Sequence, residues 1–319
     1  MVHQLLITGG VILIIGYLFL YFRTYMLQRV SYWYLVLIPF MVAIGGFALP
    51  EMSPAIYIPI WMVMAILMVT AFTIIRNPAR LRSSDNLIFP TPAPLLLIAP
   101  WFFISVFFGF GPPPSTVEGW VANLTEQQVR YAILLIPGLL VPAGFVILCR
   151  YLKLAGETTF SAIGQTAILI AAPLFLLNMA YWGTFLGEAF KGFVASGSTV
   201  RPDWYAPVRA LLESLSTIEV ALFYLATLAF AFSLKKSSVF KPFACHMYIV
   251  FSMAGFILDI CGSFLPEPVS FAGYLVAIPA IPLIMPYLMG VNLLKLGNKG
   301  TAEQKSSLQV LKRERTTEE

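Results

Sequence analysis

A few ionisable and amide side chains lie within long apolar stretches of this 319-residue chain. Each costs roughly 2.5 to 3.5 kcal/mol to insert at the centre of a membrane helix, so each is a candidate for a functional role. Ligand binding, ion pairing and proton transfer are the chemistry that such groups offer. They are, with the apolar stretch that holds each, Asn178 in 162–186, Arg209, Glu213 and Glu219 in 206–233, and Asp259 in 242–264.

Three of these polar groups are predicted to lie at one depth. A helix rises about 1.5 Å per residue, which places Glu213 roughly 10 Å and Asp259 roughly 8 Å below the outer ends of their helices. Asn178 falls at a similar depth on its own helix. We therefore expect Asn178, Glu213 and Asp259 to line an outward-facing site, where Arg209 attracts or orients a small polar or anionic ligand.

Arg209 and Glu213 also allow a purely structural interpretation. They stand four residues apart, so they share one helix face and can form an ion pair. Such a pair relieves much of the cost of burying the glutamate and requires no ligand. Both interpretations stay open at the level of sequence.

Glu219 lies near the middle of its apolar stretch. Six residues separate it from Glu213, which rotates it by about 240° around the helix, so the two face different neighbours. A carboxyl group at this position is expected to couple transport to a proton or an ion. The alternative is a protonated side chain that only hydrogen-bonds to a neighbouring helix.

The composition indicates a protein whose surface faces lipid. Hydrophobic residues make up 59% of the chain and charged residues 11%, against roughly 25% charged residues in a typical soluble domain. The formal net charge of +5 is spread between apolar stretches, and there is no basic stripe interleaved with aromatic residues. We therefore expect the lipid bilayer, and no nucleic acid, among the partners.

The apolar stretches predict the fold class. A spanning helix needs about 20 mainly apolar residues. We predict an all-α, polytopic transmembrane helical bundle with about nine spans, forming a single domain over 1–296, followed by a mobile cytoplasmic tail over 297–319. The nine segments run near residues 5–22, 31–49, 55–75, 88–110, 129–149, 162–186, 206–233, 242–264 and 270–294.

The basic residues predict the orientation of the bundle. With nine spans, sixteen of the 20 lysines and arginines fall on one side of the membrane. Cytoplasmic connections carry the excess of basic residues, so this side is expected to be cytoplasmic and the N-terminus outside. We expect a bacterial or archaeal cytoplasmic membrane. The four basic residues on the opposite side are Arg130, Lys191, Arg201 and Arg209.

No cofactor or metal is expected. The two histidines, His3 and His246, fall at opposite ends of the predicted bundle, so a haem with two histidine ligands is excluded. No lysine falls within a predicted span, as a retinal Schiff base requires. The three cysteines form no close pair in sequence, which argues against a disulfide or a zinc site.

Three functional classes remain open. The first is a transport or small-molecule-binding protein, in which proline-kinked helices supply the moving parts. The second is a non-catalytic membrane subunit that anchors protein partners or binds quinone or lipid. The third is an intramembrane enzyme that uses carboxylates on a lipid or isoprenoid. We favour the first class, because buried carboxylates occur together with proline-rich segments such as 88–110 and 270–294, and we do not expect an enzyme.

Overall fold

The computed structural model describes residues 25–46, 54–76, 92–109, 114, 116–197, 203–278 and 280–296. All secondary structure in these ranges is helical, as the sequence predicts. The first predicted span, 5–22, and the predicted mobile tail, 297–319, lie outside the described residues.

The helices share long apolar sequences with few charged residues in their interiors. In chain order the α-helices of the described ranges are α1 Tyr25–Gly46, α2 Pro54–Arg76, α3 Pro92–Ile98, α4 Pro100–Gly109, α5 Val117–Ala122, α6 Leu124–Leu154, α7 Thr159–Ala180, α8 Leu186–Ala195, α9 Tyr205–Lys236, α10 Pro242–Cys261, α11 Val269–Ala277 and α12 Ile284–Leu296.

Six helical stretches in the described part of the chain are long and apolar enough to cross a membrane. Two other predicted spans are interrupted: 88–110 divides into α3 and α4, and 270–294 into α11 and α12. At the first break, Pro100 has no N–H to continue the helical ladder. The structure therefore establishes an all-α, membrane-type bundle, with six spanning-length helices in the described ranges. These are α1, α2, α6, the continuous stretch Thr159–Ala195, α9 and α10.

The stretch Thr159–Ala195 is continuous because α7 passes into α8 through one π-helical turn, Tyr181–Phe185. Gly183 in this turn lies against Tyr131 of α6, where an added Cβ would approach the Tyr131 Cβ to 2.7 Å. The extra residue of a π-turn changes which side chains face the neighbouring helices. The π-turn begins three residues after Asn178, the polar residue of α7 identified above.

The centre of the bundle is formed by α7, α9 and α10. Helix α7 packs along α9, α9 packs along α10, and α6 packs against α7. Phe145 of α6 stacks on Phe230 of α9 with 4.5 Å between ring centroids, and Gly164 of α7 lies against the same Phe230 ring. The three helices that carry the predicted polar groups are thus held in direct contact.

Glu157 fixes the start of α7 against the end of α9. Its carboxylate accepts hydrogen bonds from the backbone N–H groups of Phe160 at 2.9 Å and Ser161 at 3.0 Å, and from the Ser233 hydroxyl. Burial raises the pKa of this carboxyl group, but the hydrogen bonds outweigh it, so the pKa lies below its ordinary value of 4.5. The charged carboxylate therefore stabilises this end of the bundle.

Helices α10 and α11 approach each other at two glycines. A Cβ added to Gly273 would lie 2.8 Å from the Cα of Gly262 and 2.9 Å from the carbonyl oxygen of Leu258. Both neighbours are backbone atoms, which cannot rotate away as a side chain does. Small residues at such crossings let membrane helices approach closely.

Candidate functional site

The polar centre of the bundle consists of Asn178 on α7, Glu219 on α9 and Asp259 on α10, which we call the Glu219 cluster. The Asn178 side-chain Nδ2 donates a hydrogen bond to Glu219 Oε2 at 3.2 Å. Glu219 is 0% exposed and Asp259 9% exposed. Asp259 is near enough to act on the Glu219 carboxyl group electrostatically. Three consecutive long helices therefore place their polar groups in one buried site.

Several oxygen atoms of the Glu219 cluster are buried without a hydrogen-bond partner among the described residues. They are Glu219 Oε1, Asn178 Oδ1 and both carboxyl oxygens of Asp259. A buried polar group left unsatisfied costs about 1 to 3 kcal/mol. Because buried polar groups are normally hydrogen-bonded, these four oxygens mark the cluster as a candidate functional site.

The Glu219 cluster contains two carboxyl groups and no cation. Within the described ranges, neither Glu219 nor Asp259 forms an ion pair. The ion pairs of those ranges join Arg130 to Glu126, Lys191 to Glu188 and Arg209 to Glu213. Two buried acidic groups near each other favour states in which at least one of them is neutral or shares a bound cation.

Arg209 and Glu213 form the ion pair that their spacing predicts, with 2.7 Å between Arg209 Nε and Glu213 Oε1. Their side chains are 48% and 58% exposed, so the pair lies on the surface of the bundle, apart from the buried cluster. Their predicted ligand role stays a prediction.

Asn178 bonds to Glu219, while Glu213 is exposed and pairs with Arg209. Depth along the membrane placed Asn178 and Glu213 together, but depth does not specify the direction in which a side chain points. The rotation of about 240° between Glu213 and Glu219 decides the outcome, since it turns Glu219 toward α7. Asp259 lies on the neighbouring α10, and its charge acts on the Glu219 carboxyl group. The predicted ligand role of Asn178 and Asp259 stays a prediction.

Tyr224 holds the helices around Asp259 in place. Its hydroxyl group donates a hydrogen bond to the carbonyl oxygen of Val276 on α11 at 3.0 Å. Its ring lies over Gly255 of α10, where an added Cβ would come within 2.3 Å of the ring. Tyr224 thus connects α9, α10 and α11 one turn from Asp259, a role that sequence reasoning missed.

A polar stripe on the buried face of α10 leads from the Glu219 cluster toward the other end of that helix. Tyr248, Ser252, Gly255 and Asp259 are all buried, and their spacing of four, three and four residues places them on one helix face. The Ser252 hydroxyl group is buried without a hydrogen-bond partner in the described part of the chain. The sequence shows this spacing, but it does not show that this face of α10 is buried.

The polar atoms that the Glu219 cluster offers for binding are carboxylate and amide oxygens, which suit protons and hard cations. The described ranges contain no group of three His, Cys, Asp or Glu side chains arranged to hold a metal ion. Cys149, Cys245 and Cys261 are free thiols in the described structure.

Comparisons with protein-family models, with curated protein sequences and with solved structures give no match. The class of protein is defined by the fold alone, an all-α bundle of the kind found in integral membrane proteins.

Proposed function

We propose that this chain is a membrane transport protein that couples the movement of a small polar or anionic solute to a proton, with Glu219 as the proton-carrying group. The observation that carries the proposal is the Glu219 carboxyl group itself. It is fully buried between α7 and α9, an amide is its hydrogen-bond partner, and its second oxygen has no partner among the described residues.

Physical chemistry supports a proton on Glu219 during part of the cycle. An isolated carboxylate buried in an apolar medium is very costly, whereas the neutral acid can donate its hydrogen to an amide oxygen. Asn178 provides both an amide N–H and an amide oxygen next to Glu219. The asparagine side chain can therefore hydrogen-bond to both the charged and the neutral form of the acid.

Asp259 is the second acidic group of the proposed mechanism. Because its charge acts on Glu219, a proton bound to one carboxyl group favours ionisation of the other, and the pair titrates as a unit. Proton release from Glu219 then follows from any helix movement that brings Asp259 into contact with water or solute. Arg209, at the Tyr205 end of α9, attracts an anionic solute from the surface.

We also infer that the chain crosses a cell membrane nine times, with the N-terminus outside and the C-terminus in the cytoplasm. The pair α3 and α4 covers Pro92–Gly109, which at about 1.5 Å per residue is nearly long enough to cross a hydrocarbon core. The pair α11 and α12 accounts for another crossing, and 5–22 for the first. Sixteen basic residues then lie on the cytoplasmic side.

A direct test is to measure charge movement in proteoliposomes adsorbed to a solid-supported membrane. Defined pools of amino acids, short monocarboxylates, sugars and inorganic phosphate are applied at constant pH. We expect one pool to produce a response, which is a current for a neutral solute and proton uptake, read with an internal pH-sensitive dye, for an anion whose charge one proton balances. Glu219→Gln abolishes this response, and Glu188→Gln, at an exposed carboxyl group of α8 outside the site, preserves it. An unchanged response in Glu219→Gln, or no response with any pool, contradicts the proposal.

A further inference from the structure

A cavity of about 550 Å³ lies between α1, α10 and α12, and we call it the α1–α10–α12 pocket. Its volume falls within the range of roughly 300 to 1,000 Å³ that is typical of ligand sites. Most of its wall is apolar, formed by side chains such as Val36, Phe40, Met247, Phe251, Met285 and Leu288. This wall suits a hydrocarbon chain.

One end of the α1–α10–α12 pocket is polar and ordered. The Tyr32 hydroxyl group donates a hydrogen bond to Asn292 Oδ1 at 3.0 Å, and Asn292 Nδ2 donates one to the Tyr248 hydroxyl oxygen. These three side chains come from α1, α12 and α10, so one hydrogen-bond chain joins all three walls. The pocket is therefore a built site with a fixed polar end.

The polar end carries positive charge. Lys241, directly before α10, and Lys295, in the last turn of α12, both line the pocket, and among the described residues its lining contains no Asp or Glu. The Lys295 ammonium group lies 3.8 Å from the centroid of the Tyr32 ring, which fixes its position. The N-terminus of α10 adds the positive end of a helix dipole.

We propose that the α1–α10–α12 pocket binds an anionic membrane phospholipid, with its phosphate at Lys241 and Lys295 and one acyl chain along the apolar wall. Basic pockets between membrane helices recognise anionic headgroups in this way. Trp33 and Phe243, which are 51% and 76% exposed, form the rim across which a lipid chain enters from the bilayer. A zwitterionic headgroup is expected to bind with lower affinity, because its own cationic group is repelled by the same two lysines.

This lipid site is separate from the Glu219 cluster and does not depend on a transport function. Tyr248 at the pocket and Asp259 in the cluster are eleven residues apart on α10, about 16 Å along the helix axis. Loss of lipid binding and loss of solute transport are therefore distinguishable by variants at the two ends of one helix.

Native mass spectrometry of the detergent-solubilised protein tests the proposal. Phosphatidylglycerol and phosphatidylcholine with identical acyl chains are titrated onto wild type, onto Lys241→Gln/Lys295→Gln, and onto Arg150→Gln/Lys153→Gln. The last variant is the matched control, because it removes two exposed charges of α6 outside the pocket. A third variant, Ala244→Leu, narrows the pocket without changing charge.

We expect one tightly bound phosphatidylglycerol on wild type and on the α6 control. Each lysine contributes about a five-fold gain in affinity, from roughly 1 kcal/mol per basic residue near anionic lipid, so the pocket variant should bind about 25-fold more weakly. Ala244→Leu should weaken both lipids alike. The proposal would be overturned if wild type bound the two lipids with equal affinity, or if the pocket and α6 variants lost affinity equally. Occupancy of the pocket by an uncharged molecule or a protein helix would also overturn it.

Discussion

Glu157→Ala is expected to destabilise the folded bundle by about 3 kcal/mol. The substitution removes the cap of α7, which is worth about 1 kcal/mol, and the bond from Ser233, where hydrogen bonds to a charged group contribute about 1.5 to 3 kcal/mol. The Ser233 hydroxyl group stays buried and loses its carboxylate partner. The losses overlap, so their plain sum overstates the effect.

The assay is a denaturant titration of the purified protein in detergent, followed by tryptophan fluorescence. A double-mutant cycle of Glu157→Ala and Ser233→Ala should give a coupling energy of about 1 to 2 kcal/mol. Ser237→Ala is the matched control, because its hydroxyl group bonds only to carbonyl oxygens of its own helix. We expect that control to change stability by less than about 0.5 kcal/mol.

The same contact predicts a pH dependence. Because the folded pKa of Glu157 lies below its ordinary value of 4.5, its contribution is fully present above that value and is lost as the pH falls through the folded pKa. Wild type should therefore lose more stability than Glu157→Gln between neutral and strongly acidic pH. Parallel pH profiles for the two proteins, or a coupling energy of zero, would refute the assigned role.

Two further predictions concern helix packing and the Glu219 cluster. Gly273→Ala should destabilise the bundle by about 1 to 3 kcal/mol in the same titration, because its Cβ meets the backbone of α10. The control is Gly192→Ala, whose Cβ meets nothing within 4 Å and which should be neutral or stabilising by up to about 1 kcal/mol. Equal effects of the two substitutions would contradict the close packing at Gly273. Asn178→Leu should leave the protein folded but abolish the solute-induced response in proteoliposomes, since Glu219 loses its amide partner. A full response in a folded variant would exclude Asn178 from the transport mechanism.

Composition was sufficient to predict a helical membrane-type bundle, because apolar stretches of spanning length have few alternatives in lipid. Local spacing was sufficient to predict the ion pair of Arg209 and Glu213, since both residues lie on one helix. The number of spans was harder to predict. A segment such as 88–110 is continuously hydrophobic in sequence, although its helix is interrupted before Pro100.

The Glu219 cluster could be predicted only in part. The sequence identified Asn178, Glu219 and Asp259 as unusual, but which of them meet depends on the rotation of each helix about its axis, and packing sets that rotation. The α1–α10–α12 pocket was not predictable at all, since Tyr32 and Asn292 are 260 positions apart. No local pattern encodes such a contact.

Proton flux measured beside solute exchange tests whether Glu219 carries the coupled proton. Proteoliposomes with an internal pH-sensitive dye are supplied with the solute pool that gives a response, and exchange of the radiolabelled solute is followed in parallel. Glu219→Gln should retain exchange but lose solute-driven proton flux, while Glu188→Gln, at an exposed carboxyl group of α8, should retain both. Proton flux at the wild-type level in Glu219→Gln would show that another group carries the proton.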